Sequence, residues 1–299
     1  MKLANIIVPV DMSDASGNAL EFAWKMAEIA GADIEVLYVM DKVLEGQQKG
    51  HSGMLSQMYN STENELHTFV EETIRGFGGE WPIEDRLAYM PEDNETKLKE
   101  PVVRIQIAYG LPDVVIKEMS NPSNLVVMST TGRSALGSRI FGSTCIEVSK
   151  NAPGNILFVP SKATFGGFDH VLYASNAASL GYQRIQQAMS FAGYFDSQIH
   201  FVHVGHAGEE GVDLEKRLFE IEYKSLQPSN PFLYTRMIDD ENVTASLMEY
   251  ALFHRIELMI FVTAQRHFWE DVLHNSITQQ VLHADEYPML VIHAEHIIN

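Results

Sequence analysis

The sequence predicts an α/β protein made of two tandem open parallel five-stranded sheets with flanking helices. Three observations predict it. Residues 33–40, Asp-Ile-Glu-Val-Leu-Tyr-Val-Met, are apolar on both faces, as a central parallel strand must be, and a stretch of helical spacing separates them from an apolar run at 5–11. A length of 299 residues allows two domains, each with its own core. The pattern then restarts, residues 170–175 standing in for 6–11 and 197–204 for 33–40 at a common offset of 164, which marks an internal repeat.

In chain order, residues 5–11 form the first strand and 11–16 the turn into a helix. Ser13 or Asp14 can cap that helix, Leu20, Ala23, Met26, Ala27 and Ala30 share one side of it, and Gly31 ends it. With the strand at 33–40 this makes a right-handed crossover unit. Residues 47–53 read as a polar, glycine-rich loop, and residues 54–77 as an amphipathic helix stopped by Gly78 and Gly79. Residues 83–100 are longer than a connection needs and read as an insertion with a short strand near 86–90, either a solvated loop or a binding segment. A strand at 102–109 follows, then a helix with Pro112 near its first position, where a missing amide costs nothing. Residues 125–129 form a buried strand, and residues 155–160 complete the set of five.

Between the fourth strand and the next helix, residues 128–144 read Met-Ser-Thr-Thr-Gly-Arg-Ser-Ala-Leu-Gly-Ser-Arg-Ile-Phe-Gly-Ser-Thr. Gly132, Gly137 and Gly142 are expected to let the backbone take positive φ and approach a ligand, while the helix behind them points its first amides and the positive end of its dipole outward. That is an anion site of the phosphate type. The loop has neither the Gly-Lys-Ser/Thr of a Walker loop nor the Gly-x-Gly-x-x-Gly of a dinucleotide fold.

What it resembles is the universal stress protein family, whose nucleotide-binding members carry Gly-x2-Gly-x9-Gly-Ser/Thr after the fourth strand. Gly132 and Gly142-Ser143 match, whereas Ser129 replaces the first glycine and puts a Cβ where the family has bare backbone. The Gly110-x-Pro112 step matches as well. The resemblance extends over nearly the whole chain. It implies a Rossmann-like fold of the adenine nucleotide alpha hydrolase type that binds ATP or a related adenine nucleotide, with or without magnesium. It also implies that Asp11 and Val39 hold adenine and ribose, and that Met128, Ser129, Gly132, Arg133, Gly142, Ser143 and Thr144 surround the remainder. Arg133 and Arg139 are either phosphate contacts or solvated charges, and Ser143 and Thr144 can cap the helix, bond phosphate, or both.

Residues 161–167 read as a small, glycine-rich linker dividing a nucleotide-type domain, 1–162, from a degenerate copy, 163–299. Residues 234–238, 258–263 and 289–293 supply the copy's remaining strands. At the offset of 164, Ser175 stands for Asp11 and His203 for Val39, and residues 262–276 contain no glycine where the first copy has its loop. Arg266, His267, Phe268 and Trp269 bring bulk there, so no triphosphate is expected in this half; a plug and a site for another ligand both stay open. In the family the chain resembles, the final strands of two domains commonly pair, so the resemblance implies that 155–160 and 289–293 pair inside the chain as a pseudo-dimer, covering two edges at once and leaving association of two chains open.

Ten of the twelve histidines lie after residue 163, with His200, His203 and His206 near the end of one strand and His267 and His274 in the altered loop. Strand alternation puts His200 and His203 on opposite faces, so ordinary imidazoles are preferred over a metal site. Cys145, the single cysteine, is expected to be buried rather than redox-sensitive, and fits a reducing cytoplasm. With 40 acidic and 21 basic residues the net charge is −19, which argues against nucleic acid as a partner. No apolar run approaches the roughly 18 residues of a membrane span. The expected function is therefore that of a cytoplasmic, nucleotide-responsive stress protein with protein partners still unknown. A slow magnesium-dependent ATPase using Asp11 and an adaptor without nucleotide are the alternatives.

Overall fold

The structure, a computed structural model, describes residues 3–40, 52–79, 101–132, 142–175, 182–205, 233–240, 242–263 and 287–293. Arg133, Gly137, Arg139, His206, the insertion at 83–100, nearly all of the loop at 47–53 and the altered loop beyond Thr263 lie outside the described residues.

The first half runs β1 (Asn5–Val10), α1 (Asp14–Ala30), β2 (Asp33–Met40), α2 (Ser52–Gly76), β3 (Val103–Tyr109), α3 (Pro112–Met119), β4 (Leu125–Ser129), α4 (Ser143–Asn151) and β5 (Asn155–Val159). The second runs β6 (His170–Ser175), α5 (Tyr182–Ala192), β7 (Gln198–Gly205), β8 (Leu233–Asp239), α6 (Val243–Phe253), β9 (Leu258–Thr263) and β10 (Met289–His293). Local chemistry sets these bounds. Ser13 accepts from the Ser16 amide while Ser16 accepts from the Ser13 amide, a reciprocal cap that starts α1. Gly31 ends it at φ 67°, which an L-side chain rarely adopts. Pro112 occupies the first position of α3.

All ten described strands join one sheet in the order β3-β2-β1-β4-β5-β10-β9-β6-β7-β8. Each half is parallel, and a single antiparallel contact joins them, with Met289 opposite Phe158, Leu290 opposite Leu157 and Val291 opposite Ile156. The two expected five-stranded sheets are thus continuous, because each half's fifth strand takes the other's as its missing neighbour and neither leaves an apolar edge to water. The cores follow the same logic. One apolar layer lies on the α1 side of the sheet and another on the α3 side, and each holds residues of both halves, Ile6 with Val171 and Ile7 with Leu172.

The register corrects the repeat. Asn5 pairs with Asp33 and His170 with Gln198, and the burial sequence along β1 recurs along β6, so the structural offset is 165, not 164. A slip of one residue moves every side chain to the opposite face of a strand. Ser175 therefore corresponds to Val10, His203 to Tyr38 and Val204 to Val39, and the same offset in sequence assigns Asp11 to Asn176, which lies outside the described residues. The matching of Asp11 with Ser175 and of Val39 with His203 is accordingly withdrawn.

The linker is also more than a spacer. Ala163 and Phe168 are buried, and the Asn18 amide donates to the carbonyls of Pro160 at 3.1 Å and Ala163 at 2.9 Å. Phe165 and Phe168 wedge between Phe22 of α1 and Phe195 just beyond α5, with edge-to-face contacts at 5.1 Å for Phe22–Phe165 and 5.0 Å for Phe168–Phe195.

Candidate functional site

The strand order reverses between β1 and β4, and open parallel sheets present a crevice at such a point, outside the C-terminal strand ends. A cavity of about 310 Å³ lies there. Its walls include Asp11 after β1, Val39 in β2, Met128 and Ser129 ending β4, and Gly132, Gly142, Ser143 and Thr144 beside α4. Every expected site residue that is described is thus brought to one cavity. Arg133 is the exception, being outside the described residues.

Met12 takes φ 59°, a left-handed conformation costing an ordinary side chain roughly 1 kcal/mol. In the same turn, the Ser13 amide and hydroxyl both donate to Asp11 Oδ1, at 3.1 and 2.5 Å. The other carboxylate oxygen faces Gly132, where an added Cβ would lie 2.5 Å from Oδ2. Gly132 is needed for this close approach and not for positive φ. Gly142 has φ −71°, and an added Cβ would meet nothing nearer than the Thr130 carbonyl at 3.8 Å. The expectation of positive φ at these two glycines is therefore corrected.

Two helix starts face the cavity, and they differ. Ser13 and Ser16 satisfy amides of α1 by their reciprocal bonds. At α4 the N-cap is Gly142, which makes no side-chain cap, so the first-turn amides at Ser143, Thr144 and Cys145 have no capping oxygen from it. Behind them Thr130 is fully buried, and its hydroxyl has no hydrogen-bond partner. Ser129, the residue in place of a glycine, donates its hydroxyl to the Thr131 carbonyl at 2.7 Å, so its polar atom is tied to its own loop. The apolar part of the lining includes Pro9, Leu37 and Ile116 along with Val39 and Met128. Among the described lining residues Asp11 carries the charge. Thr130 and Ile116 were not expected here; Thr130 occupies a variable position of the glycine motif, and Ile116 lies in the helix that opens at Pro112.

Cys145 lies in this wall but is buried, with its thiol donating to the Ser129 carbonyl at 3.0 Å. Burial, with a smaller contribution from Asp11, pushes the thiol up to about 12, offset partly by backbone hydrogen bonds. The thiolate that redox chemistry requires is disfavoured.

In the second half His200 and His203 are both buried, and His203 Nδ1 lies 3.0 Å from the Ser175 carbonyl. Among the described residues no three His, Cys, Asp or Glu side chains converge as metal ligands. His200 Nε2 lies 3.2 Å from His170 Nδ1, and His200 Nδ1 lies 3.0 Å from the Tyr250 hydroxyl. Desolvation first, then His170 and His254, lower its pKa from 6.5 to about 4. An unfolded chain takes up this proton at 6.5, so His200 contributes stability that is whole above that pH and is lost as pH falls toward about 4. The loss is on the order of 2 kcal/mol, screening by nearby solvent included. Urea unfolding at stepped pH should show this extra slope in the wild type and not in His200→Phe; parallel slopes would contradict it.

The family model of the "Universal stress protein family" matches residues 2–160 of the chain. Among solved structures, a universal stress protein from Archaeoglobus fulgidus DSM 4304 is similar over 97% of this chain and 98% of its own, with 14% identity and a TM-score of 0.67. A functionally unknown protein from Pseudomonas aeruginosa PAO1 is similar over 98% of this chain and 93% of its own, at 16% identity and a TM-score of 0.55. A putative universal stress protein from Pseudomonas aeruginosa UCBPP-PA14 gives 14% identity, 97% and 93% coverage and a TM-score of 0.53. Comparison with curated protein sequences finds no match.

Proposed function

The chain belongs to the universal stress protein family, and from that premise we propose that it binds ATP or a related adenine nucleotide in the cavity of its first half and acts as a nucleotide-responsive regulatory module. The observation that carries this reading is the start of α4: a helix of nine residues opens on the cavity behind Gly142 with no side-chain cap. Such a terminus attracts the charged end of a nucleotide through its amides and dipole. The buried Thr130 hydroxyl offers a further donor, and the space kept at Gly132 admits both backbone and the Asp11 carboxylate. Asp11 with Val39 would hold the ribose and base, and Met128, Ser129, Ser143 and Thr144 would border the rest. A nucleotide that arrives with magnesium meets Asp11 as the acid of the described wall.

The same geometry favours binding over rapid hydrolysis. One Asp11 oxygen accepts two hydrogen bonds from Ser13, which commits that oxygen to its own turn and not to an attacking water. The regulatory part of the proposal rests on α1. Its first turn borders the cavity at Ser16, one face of its next turn holds the linker through Asn18, and Phe22 reaches the rings that join the halves. We place the division between the nucleotide half, 1–162, and its degenerate partner, 163–299, inside this packed linker.

Identification of nucleotide released from the denatured purified protein tests the reading. Adenine nucleotide bound by the wild type and lost by Asp11→Asn is expected. A protein that neither retains nor takes up nucleotide would point to the adaptor alternative. Steady phosphate release, abolished by Asp11→Asn, would point to the ATPase.

A further inference from the structure

The second half has a groove between the edge strand β8 and helix α6, about 610 Å³ in volume, that the nucleotide reading does not use. Alternation along β8 puts Tyr234 and Arg236 on one face, and helical spacing on α6 puts Glu249, Tyr250, Phe253 and His254 opposite them. Beneath them lies His200, an imidazole 4% exposed. Its Nδ1 holds the Tyr250 hydroxyl at 3.0 Å, and Tyr234 stacks on its ring at 4.9 Å with the planes 21° apart. One buried polar group thus fixes two rings of the groove before anything binds, and His170 closes the arrangement at its other nitrogen. His254 packs on Tyr250 at 4.1 Å, while Phe253 remains 81% exposed and Tyr234 49% exposed. Aromatic area of this extent left to water is characteristic of a contact site.

The charges narrow the class of ligand. The chain has 40 acidic residues against 21 basic, yet Arg236 makes no ion pair among the described residues. Glu249 lines the same groove and likewise makes no ion pair, with Arg236 or with any other described residue. Asp240 lines the groove as well, but its carboxylate already accepts from the Asn242 amide and the Ser246 hydroxyl, each at 2.8 Å, which leaves Arg236 and Glu249 as the two charges to match in the described lining. An anion alone would satisfy the arginine and be repelled by the glutamate; a cation alone would leave the arginine unmatched. A molecule with a carboxylate, an ammonium and a flat ring satisfies both charges and covers the rings.

We propose that the groove between β8 and α6 is a ligand site for an aromatic zwitterion with the chemistry of an aromatic amino acid, its carboxylate on Arg236, its ammonium on Glu249 and its ring against Tyr234, Phe253 and His254. The site lies on the second half and does not depend on whether the first half binds nucleotide.

Equilibrium dialysis of the full chain against L-phenylalanine, with the His254 ring signals followed by NMR, tests it. Saturable binding below about 10 mM is expected, weakened at least tenfold for N-acetylphenylalanine, phenylalaninamide and alanine. Arg236→Met, Glu249→Gln and Phe253→Ala should each lower affinity to a similar degree, and Asp11→Asn should leave it unchanged. These side chains border solvent, so loss of fold does not enter. An analogue that lacks the ring or either charge and binds as well as phenylalanine would overturn the assignment. Absence of saturable binding, or equal affinity in Arg236→Met, would overturn it too.

Discussion

Gly132→Ala is expected to weaken adenine-nucleotide binding by roughly 10- to 100-fold, while Gly142→Ala leaves it within about threefold. Both glycines belong to the same motif, and composition alone would rank them equally. The structure does not. A Cβ at residue 132 would stand 2.5 Å from Asp11 Oδ2, and Asp11 cannot swing away freely because Ser13 holds its other oxygen by two hydrogen bonds. Alanine therefore has to displace either the carboxylate or the loop, and a hydrogen bond made by a charged group contributes about 1.5–3 kcal/mol. At residue 142 the nearest atom is a carbonyl 3.8 Å away, an ordinary contact, and φ is −71°. Alanine there forfeits a good helix start, at about 1 kcal/mol of stability, without entering the cavity. Calorimetric titration of both variants with ATP, alongside their melting temperatures, separates the two. Equal losses of affinity would mean that the motif acts through chain flexibility and not through the space beside Asp11.

That contrast shows how far sequence reasoning reaches at this site. Glycine spacing located the loop, and the apolar runs located the strand ends, because both are local patterns. The reason for each glycine was not local. Gly132 is set by a carboxylate more than a hundred residues away in the chain, and only the fold brings the two together. The repeat offset is similar: the apolar positions of β6 align almost as well at 164 as at 165, since buried parallel strands are apolar on both faces and carry no period-two signal. Pairing of β1 with β2 and β6 with β7 resolved it. Pairing of the last strands was implied by the family resemblance, and it covers two exposed apolar edges at once. The groove against α6 was not legible, since Tyr234, Arg236 and His200 come from two strands whose pairing sets their neighbours.

Phe168→Ala should destabilise the protein by about 3–5 kcal/mol, the largest stability effect expected of a single residue here. Read from sequence, residue 168 borders a glycine-rich linker, where alanine would cost little. In the structure its ring is 1% exposed and stands 6.1 Å from Phe22, 5.1 Å from Phe165, 6.0 Å from Phe191 and 5.0 Å from Phe195. Phe22 belongs to the first half and Phe191 and Phe195 to the second, so the cavity left by alanine opens where the halves meet. Neighbouring rings are large and relax poorly into such a void, which puts the cost toward the upper part of the range. A domain of ordinary stability has about 5–15 kcal/mol to lose. Because the apolar layers and the β5–β10 pairing also cross this boundary, both halves should lose stability together. Urea unfolding followed by far-ultraviolet circular dichroism and by nucleotide binding in parallel measures this, and the two probes should shift to the same lower midpoint. A shift confined to one probe would mean that the halves unfold independently, and a cost below about 1 kcal/mol would mean that the ring is not part of the shared core.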